Sequence, residues 1–472
     1  MCPHGPTDTS PTELADVSTW HARSMSAFTA TDLAARVDDL MGRARDDLAA
    51  LVAHPSVHLD VARRDDSRAS AMWVAAAFTE LGFEIDVIET SDGSPAVMGF
   101  RPGSEPDART VLLYSHHDVQ PAGQVDRWTS PPFELTDRDG RWYGRGAADC
   151  KGNLIAHLTA LRAVGETTGA AVRVVIEGSE EAGGEGLDDL ARNRPELFDA
   201  DMIIIADTGN VAVGTPTLTT SLRGVVNATV TVRALGSAVH SGQFGGAAPD
   251  ALAALVAGLA SLRDAQGNTT IDGVTTDQRW DGAAYDPDVF RTDSTALPGT
   301  DLLGSGAPAD MVWARPAVTV IGLDAPATAD CAAAIVPEAK AVLNLRVPPG
   351  LDPHATFEAL TAHLRGHIPW GVEVEIAADA VGAPFSADTD GPGYRALTDA
   401  LSTAYDADVV RSGQGGSIPL CTVLSDIVPR AEIALIGVEE PQCRIHAVDE
   451  SVDPEEIRRT ALAEAIFLST FS

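Results

Sequence analysis

The chain has 472 residues, 44% of them hydrophobic, and a formal charge of -35 at pH 7, with a mean hydropathy of +0.01. This length exceeds one ordinary core and predicts a soluble globular protein of two domains. The acidity argues against nucleic acid or an anionic membrane as partner, since both need a basic face, and no run approaches the roughly 18 apolar residues of a membrane span. The five cysteines, Cys2, Cys150, Cys331, Cys421 and Cys443, are odd in number, scattered and without a CxxC pair. They indicate neither a disulfide framework nor a thiolate zinc site, and they favour a reducing cytoplasm. Arginine nearly replaces lysine, which occurs only at Lys151 and Lys340.

Residues 1–30 read as a polar arm, with neither the basic start nor the apolar segment of a signal peptide. Leu33, Val37, Leu40 and Met41, continued by Leu48, Leu51 and Val52, recur at helical spacing. "ASAMWVAAAFTELGF" predicts a second helix stopped at Gly82. "EIDVIET", "AVMGFRP" and "TVLLYSHHD" are short strands, the last nearly all apolar and therefore central. "KGNLIAHLTALRAVG", "AVRVVIEGSEE", "DDLARNRPELF" and "ADMIIIADTG" then alternate helix, strand, helix and strand. This rhythm predicts an α/β domain with a mostly parallel sheet.

After about residue 220 the rhythm changes. "GVVNATVTVRAL", "PDALAALVAGLASLRD", "AVTVIGL", "EAKAVLNLRVP", "PHATFEALTAHLRGH" and "GVEVEIAAD" spell β-α-β-β-α-β, a ferredoxin-like sandwich, interrupted by an irregular stretch at roughly 265–312. From "PGYRALTDALSTAYDADVV" the first pattern resumes. The expected organisation is an insert, residues 221–384, within a discontinuous α/β domain of residues 31–220 and 385–472.

In open α/β sheets ligands bind beyond the carboxyl ends of the strands. Acids and imidazoles wait there in "SHHD" (His116, His117, Asp118), "GRGAADCKG" (Asp149), "EGSEEAGG" (Glu180, Glu181) and "IADTG" (Asp207), with "RIHAVDE" (His446) late in the chain. Such a mixture suits zinc or a related divalent ion better than calcium or magnesium. Its acids are too many for one tetrahedral ion, so a pair sharing a bridging carboxylate is the economical arrangement. On a strand His116 and Asp118 share a side and His117 faces away. His116 as a ligand, with Asp118 taking its other ring N–H, follows the usual support of a metal-bound imidazole. Taken alone, each group has a plainer reading: a core histidine, a solvated acidic turn, or a helix cap for Asp149 and Asp207.

The motifs "HHDVQP", "GRGAADCKG", "EGSEEAG", "LGSAVHSGQFGG", "LRVP", "GGSIP" and "RIHAVDE", in this order, carry a resemblance. The chain resembles the cocatalytic dizinc metallopeptidases that include carnosinase-like dipeptidases, glutamate carboxypeptidase and succinyl-diaminopimelate desuccinylase, from about residue 33 to the C-terminus. The resemblance implies a parallel-sheet catalytic domain with a ferredoxin-like lid and dimerisation domain. It implies two divalent ions per subunit, Zn2+ foremost with Mn2+ or Co2+ as alternatives. His116 and His446 would hold one ion each, Asp149 would bridge them, and Glu181 and Asp207 would complete the two sites. Asp118 would orient His116 and Glu180 would act as general base. His240 would reach the partner subunit's active site in a homodimer, and Arg346 and Ser417 would bind the substrate's free carboxylate. Two positions depart from the pattern: Cys150 follows the bridging aspartate where a second acid is frequent, and a substrate-contacting threonine falls on Ala334.

The implied chemistry is hydrolysis of a dipeptide or short peptide by a metal-activated water, with Glu180 moving its proton and His240 or Arg346 steadying the oxyanion. Physics alone does not separate Glu180 from Glu181; that assignment rests on the resemblance. The rival within the same chemistry is an N-acyl-amino-acid amidohydrolase, of deacetylase or desuccinylase type. The rival of another class is a non-catalytic binding protein on the same fold. No GxSxG, HExxH or GxxxxGK[ST] motif supports a serine hydrolase, a one-zinc protease or a phosphate loop.

Overall fold

The computed structural model describes Met1 and residues 28–58, 60–165 and 169–471. Most of the N-terminal arm, with Cys2, His4 and His21, lies outside the described residues. Helix α1 (Ala30–Val52) opens on a Thr29–Asp32 capping box and buries Leu33, Val37, Leu48, Leu51 and Val52. It is followed by α2 (Arg64–Thr79), β1 (Glu84–Glu89), β2 (Pro95–Arg101) and β3 (Thr110–His116). Two short strands, β4 (Thr136–Arg138) and β5 (Arg141–Tyr143), precede α3 (Lys151–Val164), β6 (Ala171–Glu177), α4 (Glu185–Asn193), β7 (Met202–Ala206) and β8 (Thr217–Leu222).

The next stretch holds β9 (Gly224–Arg233), β10 (Val239–His240), α5 (Ser241–Phe244), α6 (Ala251–Ala260), α7 (Pro287–Asp293), β11 (Ala317–Asp324), β12 (Ala334–Ile335), β13 (Glu338–Val347), α8 (Pro353–His367) and β14 (Glu373–Gly382). The chain closes with β15 (Phe385–Ser386), α9 (Pro392–Tyr405), β16 (Val410–Gln414), α10 (Pro419–Ile427), β17 (Glu432–Ile436), β18 (Ser451–Val452) and α11 (Pro454–Thr470).

The main sheet has nine strands in the order β1-β2-β6-β3-β7-β17-β8-β15, with β16 also on β8. Its centre is parallel, β6-β3-β7-β17, while β1 and β2 on one side and β8 and β15 on the other join antiparallel. The central strands are buried on both faces, which explains their continuous apolar runs. Alternate residues serve opposite layers. Val111 and Leu113 join the core under α1, α3, α9 and α11, whereas Leu112 and Tyr114 join the core under α4 and α10.

The expected β-α-β-β-α-β order is present as β9, α6, β11, β13, α8 and β14, and these strands form an antiparallel sheet in the order β11-β13-β9-β14. A core of Val226, Val230, Leu255, Leu343, Leu345, Leu360 and Leu364 joins that sheet to its two helices. Two features differ from the sequence expectation. The irregular stretch contains α7 and a short π-helical turn at Asp310–Ala314. Its aromatics rest on β16 of the main sheet: Ala283 N–H donates to the Arg411 carbonyl at 2.6 Å, and a Cβ at Gly413 would lie 2.7 Å from that of Trp313. The small sheet β18-β5-β4 was also unforeseen, its strands being too short to show a period.

Candidate metal centre

The carboxyl ends of β3, β6, β7 and β17 point to one place, and each ends on a polar side chain because the strand's apolar run stops there. His116 closes β3, Glu180 and Glu181 follow β6, Asp207 follows β7 and Glu439 follows β17. Asp149 comes from the turn before α3. That turn is clamped by Glu450, whose carboxylate accepts the N–H groups of Gly146, Ala148 and Asp149 at 3.1, 3.1 and 3.2 Å and pairs with Arg145. Lys151 supports the turn from below, fully buried, donating to the carbonyls of Leu51 and His54 at 2.9 and 2.8 Å. Burial lowers its ammonium to about 7. The Asp149–Cys150 peptide is cis.

His446 arrives on a loop that holds Arg444, His446 and Asp449 at φ of 56°, 61° and 60°. Left-handed backbone at three side-chain-bearing residues is costly, and polar anchors hold it. Asp449 accepts the Thr129 N–H at 2.9 Å and pairs with Arg138, while Glu450 is the clamp already described.

The five residues expected as metal ligands are brought together. His116 Nε2 lies 3.0 Å from Asp149 Oδ1 and 3.1 Å from Asp207 Oδ1. His446 Nε2 lies 2.9 Å from Asp149 Oδ2 and 3.0 Å from Glu181 Oε2. Asp149 thus turns one oxygen to each trio. Ligand atoms about 2.0–2.2 Å from a tetrahedral ion stand about 3.3 Å from one another, and the four imidazole–carboxylate distances lie within a few tenths of an ångström of that spacing. Asp149, Glu181 and His446 group closely enough to hold an ion, and His116 does so with Asp207 and Cys150. Electrostatics call for one as well. Burial, with neighbouring carboxylates, pushes Asp207, Glu180 and Glu439 upward, and six acids, Asp118, Asp149, Glu180, Glu181, Asp207 and Glu439, surround two imidazoles. The bonds to Asp149 and Glu181 raise His446 to about 10.

Asp118 lies where strand geometry put it, its Oδ1 3.2 Å from His116 Nδ1. The same carboxylate accepts the N–H groups of Glu180 and Glu181 at 3.2 and 3.1 Å. Glu180 Oε2 stands 3.9 Å from His116 Nε2, beside the trios. His117 turns away, its Nε2 2.9 Å from the Pro95 carbonyl, and burial lowers it to about 4.

The other expected site residues stand apart. His240 is exposed on β10, and its Nδ1 accepts the Gly242 N–H at 3.0 Å; its register partner on β12 is Ala334, the substituted position. Arg346 is half-buried near the end of β13. Ser417 is half-buried and is not the cap of α10, whose N-cap is Ile418.

Sequence reading missed three residues. Glu439 groups with Asp149 and Asp207; "IALIGVEE" signals it, being one more apolar strand that stops on acids. Gln120 donates to Glu181 Oε2 at 2.9 Å. Gln120 lies within the quoted "HHDVQP". Arg223 is buried, and burial together with the Arg346 charge lowers it to about 10; it has no sequence signal. Cys150 is an inert thiol pushed up to about 12 by burial, donating to the Ala206 carbonyl at 2.9 Å. His363 and His367 cluster with Asp272. Both nitrogens of His363 are engaged, by Ser261 and by the Asp272 N–H, and His367 bonds the His363 carbonyl.

This fold and constellation define the class: a metallopeptidase. The model of a family described as "Peptidase family M20/M25/M40" matches residues 112–469. A cysteinylglycine-S-conjugate dipeptidase of Corynebacterium striatum is 48% identical over 433 residues, 90% of this chain and 94% of the relative. The Cys-Gly metallodipeptidase dug1 of Schizosaccharomyces pombe is 30% identical over 86% of this chain and 90% of its own length. The chain belongs to peptidase family M20/M25/M40. In fold it is similar to human carnosine dipeptidase 1, with a TM-score of 0.78 at 24% identity over 93% of this chain and 98% of that one. The dipeptidase Dug1p of Saccharomyces cerevisiae gives 0.79 at 21% identity over 94% and 99%. No helix among the described residues is long and apolar enough to cross a membrane.

Proposed function

We propose that the protein hydrolyses dipeptides at a two-metal centre, with cysteinylglycine and its S-conjugates as the leading substrates. The observation that carries this reading is the division of the Asp149 oxygens between His116 and His446; the substrate follows the relatives' names. His116 and Asp207 would hold one ion, His446 and Glu181 the other, with Asp149 between them and Zn2+ the best match to the donor set. Ions held there supply Lewis acidity to the scissile carbonyl and acidify water.

The chain's own groups do the rest. Glu180 takes the proton of the attacking water and returns it to the departing amine. Its pKa is raised by burial and by the Asp207 charge, which favours proton uptake. Arg346 and Ser417 bind the substrate carboxylate, and the Arg223 charge beside Arg346 strengthens the attraction. We assign residues 31–220 and 385–472 to the catalytic unit and 221–384 to a lid that dimerises. His240 then reaches the partner's centre, and its exposed imidazole supports that role. A cytoplasmic location suits the unpaired cysteines.

The test is a panel of dipeptides and N-acyl amino acids with Zn2+-loaded protein. Hydrolysis of cysteinylglycine is expected; release of amino acids from acylated substrates alone would overturn the reading. Glu180→Gln should still bind two ions by metal analysis, while kcat falls about 10²–10⁴-fold.

A further inference from the structure

A cavity of about 670 Å³ opens beside the metal centre. The two share a wall residue, because Glu439 lines the cavity and also groups with Asp149 and Asp207. A substrate held at the centre therefore presents one side to this space. Part of its lining is aromatic and apolar, and of the charged residues that line it three are acids, Asp286, Glu439 and Glu440, against one base, Arg444. Tyr285 stacks on Trp313 with ring centres 5.5 Å apart, and Val289 and Ile445 line the same space while 48% and 38% exposed.

The aromatic wall is built to keep its shape. Trp280 meets Trp313 edge-on at 5.4 Å, and Phe290 meets Tyr285 edge-on at 5.1 Å, an arrangement favoured by ring quadrupoles. The absence of a side chain at Gly413 lets Trp313 lie against the strand, since a Cβ there would fall 2.7 Å from that of Trp313. The aromatic cluster is thus fixed to the sheet that carries the ligands, and the cavity is preformed rather than assembled around its occupant.

A cysteine side chain would leave most of this space to water. Glycine brings no side chain, so in a cysteinylglycine substrate the group on sulfur is the only bulky one available. We propose that the cavity binds the S-substituent of cysteinylglycine S-conjugates and selects long apolar thioethers, alkyl or aryl, over small or charged ones. This rests on the dipeptidase reading above and adds to it the residues that choose the substituent.

The test is a series of unsubstituted, S-methyl, S-butyl, S-hexyl and S-carboxyethyl cysteinylglycine with Zn2+-loaded protein. From S-methyl to S-hexyl, kcat/KM should rise about two- to fourfold per methylene, and the S-carboxyethyl peptide should fall below S-butyl. Independently of turnover, S-hexyl cysteinylglycine should change the tryptophan fluorescence of metal-free protein more than the S-methyl peptide does. Val289→Asp, at an exposed position, should flatten both trends. Equal kcat/KM along a series that is nonetheless hydrolysed would overturn the cavity assignment and leave the dipeptidase reading standing. An unchanged chain-length trend in Val289→Asp would do the same. Failure to hydrolyse any member would overturn both.

Discussion

One carboxylate, Asp118, links the imidazole of His116 to the backbone of Glu180 and Glu181. It therefore sets the ring orientation of one proposed ligand and the position of the proposed base in a single contact. Its removal leaves His116 Nδ1 with only the Asp118 backbone carbonyl, 3.2 Å away, and two turn N–H groups without their acceptor. Asp118→Ala should weaken divalent-ion binding about 10–100-fold, measured by competition with a fluorescent chelator. Ion affinity equal to the unaltered protein would contradict the positioning role. At this scale His116, Asp118 and the two glutamates were legible, because they sit in short motifs whose spacing has a geometric meaning. Arg223 was not, because a lone arginine takes its meaning from neighbours far away in the chain, while Glu439 and Gln120 were overlooked although one ends an apolar strand and the other lies in "HHDVQP".

Helix α4 shows how an element placed for packing can carry an electrostatic cost. It packs Leu187 and Ala191 into the core on the Tyr114 face of the sheet, and this takes Asp188 inside with them. Burial raises the Asp188 carboxyl to about 6, with Arg192 3.8 Å away only partly offsetting it. The folded pKa lies above the unfolded value of 3.8, so the folded chain holds the extra proton between those limits. Its contribution is therefore full below the unfolded pKa and is lost as pH rises through about 6. Between pH 4.5 and 7.5 the unaltered protein should lose about 2 kcal/mol relative to Asp188→Asn, read from urea unfolding of both proteins at the two values. Equal pH dependence of the two would remove the effect. Long elements such as α1, β3 and β7 were legible from period and length, whereas β10, β12, β15 and β18 are two residues each and too short to show one.

At the scale of the whole molecule, the proposed site draws His240 from a second chain. His240 sits on the β10–β12 ribbon, and among the described residues no hydrogen bond or ion pair joins it to the metal trios. The outer strand β11 leaves Val320, Ile321 and Leu323 exposed, an edge suited to cover by a second copy. We expect a solution mass near twice the 49.2 kDa of the chain, measured by light scattering. Mixed Glu180→Gln and His240→Ala subunits, each nearly inactive alone, should regain about a quarter of the normal rate, because one composite site per heterodimer keeps both groups and half the dimers are mixed. A monomer of full activity would end this proposal.

By itself the sequence determined the α/β class, the β-α-β-β-α-β insert order and the residues that cap the central strands. These follow from hydrophobic period and from where an apolar run stops, and both are local properties. Tertiary structure decided that Asp149 faces both His116 and His446, that Glu439 joins them, and that the aromatics of the irregular stretch wall a cavity on the main sheet. Those facts depend on chain segments hundreds of residues apart meeting at one sheet end, and no local pattern encodes such a distance.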